Sequence, residues 1–191
     1  MEPTPIGEVI ESSTTEFIVQ CWELHTSPPF GSFVRADSLP PVFGLVFNVT
    51  THSVEPSRRP TAYQKTAEEL MMEQPQIFEL LRTEFEALVI GYIDSPAIRQ
   101  MLPPQPPRIH TFVRPCSMEE TRRFTDHWDF LRSILSTSKV PTDELIIAAV
   151  RNAFESHNRE TAYLVQTGKE LSRLIRDDYD RLHSIIRRVA Q

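Results

Sequence analysis

Five glycines in 191 residues are too few for a phosphate-cradling loop, and no two of them lie close together. No G-x-x-x-x-G-K-[ST] segment occurs, which removes the usual phosphate grip of nucleotide hydrolases. Cysteine is equally scarce. Cys21 and Cys116 stand alone, with neither C-x-x-C nor zinc-type spacing, and read as reduced thiols of a cytoplasmic protein. The six histidines (25, 52, 110, 127, 157 and 183) form no H-x-x-x-H pair, so no metal site is expected. No G-x-S-x-G elbow is present, and no catalytic or cofactor-binding residue is assigned. There is no apolar run near the ~18 residues of a membrane span. The N-terminus lacks the basic and apolar regions of a signal peptide.

Positive charge is also short. The formal net charge is −6, and it is unevenly placed. Residues 1–115 hold 8 Lys and Arg against 14 Asp and Glu, whereas 116–191 hold 12 of each. An acidic N-terminal part disfavours unaided binding to a phosphate backbone. With 40% hydrophobic residues the chain has enough apolar material for a folded core.

Proline is plentiful, with 16 residues, and it punctuates a series of short strands. Residues 6–11 alternate apolar and polar, as a half-buried strand does. After the polar turn Ser12-Ser13-Thr14, residues 16–22 are β-branched and aromatic. Pro28-Pro29-Phe30-Gly31 is a turn, 32–37 a third strand, and 42–49 a fourth, with Gly44 suited to a bend or bulge. Thr66 and Glu69 form a capping box that opens a helical insertion over 66–86, interrupted at Pro75. Ile77, Leu80, Leu81 and Phe85 share one face of it. Residues 87–92 return to strand. Pro103 to Pro107 is a stiff spacer, and 108–114 is the sixth strand.

The remainder is helical. Ser117 and Glu120 form a second capping box, followed by Phe124, Trp128, Leu131 and Leu135 at helical spacing. Thr142-Asp143-Glu144 opens a second helix. A third runs from about 160 to 189. In it Leu164, Leu171 and Ile185 follow one sevenfold series, and Gly168, Ile175, Leu182 and Val189 another. Asp178 and Gly168 weaken the seam. Such a seam either packs on the preceding helices or docks a partner or a second copy.

The expected fold class is therefore α+β: a small six-stranded antiparallel β-barrel with a helical insertion, over residues 1–115, then a three-helix region over 116–191. The segments Ile6-Gly7-Glu8-Val9-Ile10, Glu16-Phe17-Ile18-Val19, Phe30 to Asp37 and Val42-Phe43-Gly44-Leu45-Val46 resemble the HAS-barrel. That domain stands at the N-terminus of HerA-type DNA-translocating ATPases and of ATP-synthase catalytic-core subunits. Gly7, Gly31, Val34 and Gly44 match its recurring positions. The resemblance implies a barrel that packs in a ring assembly or against a partner enzyme. ATP hydrolysis is not carried over, because Gly168-Lys169 lacks the preceding glycine.

The expected role is a non-catalytic protein-interaction module, an accessory partner of a HerA-type or related ring ATPase. The alternative is a nucleic-acid-binding accessory factor that uses the barrel face, with Trp22, Phe30 and Phe33 as a stacking platform. Partner-binding candidates are Arg58 and Arg59, a Pro-bracketed pair suited to carboxylates or phosphate. Leu164, Leu171, Ile175, Leu182 and Ile185 of the heptad seam are the others.

Overall fold

The computed structural model describes residues 3–55, 57 and 59–189. Its strands are β1 (Gly7–Ser12), β2 (Glu16–Cys21), β3 (Phe33–Ala36) and β4 (Val42–Ser53). Helices α1 (Ala67–Glu73) and α2 (Gln76–Glu79) follow, then β5 (Leu81–Asp94), β6 (Ala97–Arg99) and β7 (Phe112–Pro115). The chain ends in α3 (Met118–Phe124), α4 (Phe130–Ser136), α5 (Thr142–Ser156), α6 (Thr161–Leu174) and α7 (Tyr179–Val189). The sheet order is β2-β1-β7-β3-β4-β5, and β2 pairs again with β5, so six antiparallel strands close into a barrel. A closed sheet leaves no unpaired outer strand in the barrel itself. β6 is an added hairpin arm on the end of β5.

Strand alternation separates two cores. Val9, Phe17, Val19, Val34, Val42, Val46, Phe85 and Val89 point inward and fill the barrel. Branched side chains suit this narrow interior. Gly44 is small because Phe17 needs the space: a Cβ there would lie 2.6 Å from the Phe17 ring. The expected irregularity is also present, as the β4–β5 register shifts between Phe43 and Gly44. Phe33, Phe43, Leu45, Leu88 and Ile90 point outward from β3, β4 and β5 and are covered by the C-terminal helices. Phe43 and Phe124 meet with ring centroids 4.7 Å apart. The turn before β3 locks onto α5. Gly31 has φ +81°, and a Cβ there would fall 2.3 Å from that of Ala148, so only glycine fits. Asn152 donates to its carbonyl at 2.9 Å.

Both capping boxes form, at Thr66 with Glu69 and at Ser117 with Glu120. Several expected boundaries are corrected, and β4, expected to end at Val49, runs on to Ser53. The insertion ends at Glu79, and Leu81 to Glu86 is strand, with Phe85 inside the barrel. There Thr83, Phe85, Ala87 and Val89 also follow a period of two, which the Ile77-Leu80-Leu81-Phe85 pattern masked. The strand expected over 108–114 starts at Phe112, and β6 was not foreseen. The three expected C-terminal helices are five, because the first and the last are each broken. The last breaks between Leu174 and Tyr179, where Asp178 accepts from the Arg181 N–H at 3.0 Å and so caps a new helix.

Candidate interaction surface

The break at Asp178 divides the heptad seam, and its residues turn inward. Leu171 and Ile185 are 1% exposed, Ile175 and Leu182 are buried with them, and Leu164 packs at their margin. Their apolar area is used within the chain. Arg59 is exposed beside a recess of about 70 Å³ bounded by Ser53, Tyr63, Ile77 and Leu81. Arg58 lies outside the described residues. The three aromatics of the supposed stacking platform are separated: Phe33 is in the core, Phe30 sits beside α5, and Trp22 lies on the barrel exterior.

The helices cover the β3, β4 and β5 side of the barrel, and the β2-β1-β7 wall carries exposed aromatic area. Trp22 and Phe112 are each 50% exposed and meet edge to face, with centroids 5.3 Å apart. Alternation places them there. Glu8 lies directly opposite Phe112 on β7 and Gln20 on β2, and Trp22 follows β2 two positions after Gln20. Glu8 fixes the group. Its carboxylate accepts from Trp22 Nε1 at 3.2 Å and meets His110 Nδ1 at 2.9 Å. The bond to His110, then that to Trp22, hold its carboxyl below the usual range. Ile109, also exposed, extends the apolar area. The Trp22–Phe112 contact spans most of the barrel sequence, and no local motif announces it.

Beside this wall an ionic seam ties the barrel to α3. Arg114, on the outer side of β7 and 2% exposed, donates to both Glu120 oxygens at 2.7 Å. Arg35 on β3 donates to Glu120 at 2.6 Å and to Asp37 at 2.8 Å. Burial raises the Glu120 carboxyl, but the Arg114 bonds, the Ser117 N–H and the Arg35 charge prevail and hold it down to about 2. Burial, reinforced by Glu120, pushes the neighbouring Cys116 thiol up. Cys21 inside the barrel is pushed to about 11, also by burial. Burial thus disfavours the thiolate at both positions.

Between the helices, His157 stacks on Tyr163 at 4.0 Å, and its Nε2 lies 3.0 Å from Thr125 Oγ1. Thr125 Oγ1 donates to the Thr121 carbonyl at 2.7 Å, so it accepts from His157. Burial lowers the His157 pKa, which suits a neutral, packed imidazole. Among the described residues no three His, Cys, Asp or Glu side chains are grouped to hold a metal ion. No helix among them is long and apolar enough to cross a membrane.

The chain matches no protein-family model and no curated protein sequence. A six-stranded barrel is the fold that the HAS-barrel resemblance implies, but small barrels of this kind do not single out one family.

Proposed function

We propose that this chain is a non-catalytic protein-interaction module of the cytoplasm, an accessory subunit that docks through the β2-β1-β7 wall of its barrel. The partner implied by the barrel resemblance is a HerA-type or related ring ATPase. One observation carries the docking surface: Trp22 and Phe112 are half-exposed and in contact, and Glu8 holds the Trp22 ring. Aromatic side chains with restricted rotamers are the residues that most often dominate binding energy once a partner excludes water. The unpaired state of Cys21 and Cys116 is consistent with a reducing compartment.

The test is affinity capture from native lysate with the tagged chain, beside the double variant Trp22→Ser, Phe112→Ser. Recovery of a ring ATPase by the first bait and its loss with the second supports the reading. Equal recovery by both baits moves the contact off this wall, and recovery of nothing specific by either removes the module reading.

A further inference from the structure

β4 continues beyond the barrel with one side open. β3 pairs with it only from Val42 to Leu45, and the turn at Gly31 and Ser32 holds Val46. From Asn48 to Ser53 it pairs with β5 alone. Among the described residues no backbone group takes up its other side. The phase of the ladder follows from Val54, whose N–H donates to the Leu80 carbonyl at 2.8 Å. Antiparallel pairs alternate in hydrogen bonding, so His52, Thr50 and Asn48 also aim their backbone groups at β5. Val49, Thr51 and Ser53 aim theirs outward. Asn48 to His52 is exposed throughout and contains no proline, glycine, lysine or acid. Proline, lysine and acids are among the devices by which proteins protect a strand edge from pairing, and this edge has instead only the register bulge between Val46 and Asn48.

We propose that this edge is a self-association site, where β4 strands of two copies pair antiparallel about a two-fold axis at Thr51. The outward-aimed residues must oppose each other, so Thr51 meets Thr51, and Val49 meets Ser53 of the second copy. That arrangement makes about six backbone hydrogen bonds, two for each opposed pair. A two-fold at Thr50 would instead set Ser53 against Phe47, where the register is bulged. It would also bring the two Glu84 rows into line, because Glu84 lies opposite Thr50.

With the axis at Thr51 no like charges oppose each other. Thr50 opposes His52 of the second copy, and His52 lies opposite Arg82 on β5. A row therefore runs from Glu84 through Thr50 to His52 and Arg82 of the second copy, and the two-fold repeats it. Glu84 stands 3.7 Å from His52 Nε2 of its own copy, the Arg82 guanidinium donates to the Glu79 and Leu81 carbonyls, and β4 from Asn48 to Ser53 contains no Asp, Glu, Lys or Arg. A second copy thus fits this edge without like charges on the paired strands. The site is distinct from the β2-β1-β7 wall and does not depend on it.

Sedimentation velocity of the full chain across a wide concentration range tests it. The 22.0 kDa chain is expected to convert to a species of twice that mass. Thr51→Pro removes an outward-aimed donor from each copy and leaves the β4–β5 backbone bonds, which flanking residues make, although the Thr51 Oγ1–Thr83 Oγ1 contact of 2.9 Å is lost. This variant is expected to stay at 22.0 kDa with an unchanged far-UV spectrum, its dissociation constant raised at least tenfold. Should that variant misfold, amide exchange of the wild type decides. Val49, Thr51 and Ser53 are expected to slow as concentration rises, while Thr50 and His52 are slow throughout. A wild type that stays at 22.0 kDa, a dimer that Thr51→Pro leaves intact, or edge amides indifferent to concentration overturns the proposal. The first result is also what an edge reserved for another protein's strand would give.

Discussion

Replacing Glu120 by Gln probes how the barrel is held to its helices. Gln keeps the shape and still closes the capping box, so the change is mainly the loss of charge beside Arg114 and Arg35. The carboxyl is held from 4.5 down to about 2. At about 1.4 kcal/mol per pKa step, discounted for partial solvent access, the charge contributes roughly 2–3 kcal/mol at neutral pH. The sign is that of a depressed acid. The contribution is complete above the unfolded value of 4.5 and is lost as pH falls toward 2. Urea unfolding of wild type and variant, at neutral pH and at steps between pH 5 and about 2, reads both quantities. The expected result is a gap of about 2–3 kcal/mol at neutral pH that closes across the acid range. A gap below about 0.5 kcal/mol, or one constant with pH, refutes the reasoning, because the ion seam would then not be the source.

Three further outcomes are expected. Gly168→Ala stabilises by about 1 kcal/mol, because the position is mid-helix and an added Cβ meets only Ile186 Cδ1 at 3.9 Å; a lower melting temperature would contradict this. Gly44→Ala destabilises by about 1–3 kcal/mol in urea unfolding, since its Cβ overlaps the Phe17 ring and Ala87; wild-type stability would mean that the barrel interior is looser than described. Single-stranded oligonucleotide should not bind at low salt, as read by fluorescence anisotropy. The barrel strands β1, β2 and β5 carry Glu8, Glu11, Glu16, Glu84 and Glu86, and binding with a steep salt dependence would restore the nucleic-acid alternative.

Much of the barrel is legible in the sequence because its strands alternate cleanly and its turns are marked. Val9, Phe17 and Val19 face inward as their spacing requires, and Gly31 and Gly44 sit where backbone or neighbours leave room for nothing larger. Legibility fails where two periods coincide. Ile77, Leu80, Leu81 and Phe85 fit a helix, but Phe85 also belongs to an alternating set with Thr83 and Ala87, and the neighbouring β2 sets Val19 against Phe85 and Phe17 against Ala87. Such pairing is a long-range choice, invisible to local pattern. The last helix failed at Asp178, whose side chain offers the backbone a cap in place of continued helix. The aromatic wall was the least accessible part. Trp22 reads as the end of one strand and a stacking candidate with Phe30 and Phe33, Phe112 as an interior residue of another strand, and barrel closure alone brings the two together. The arginine pair and heptad leucines stood out locally, yet the seam leucines and isoleucines mostly serve the chain's own core.

The most direct measurement is fluorine NMR of the chain labelled with fluorotryptophan, alone and in the complex recovered by capture. The sequence contains only Trp22 and Trp128, so the spectrum has two resonances to assign. Trp22 is half-exposed on the barrel wall, whereas Trp128 packs on Tyr163 and donates to Thr167 at 3.0 Å. The account predicts that the Trp22 resonance moves and loses its solvent isotope shift in the complex, while Trp128 is unchanged. A complex that forms with Trp22 still open to solvent contradicts docking through this wall.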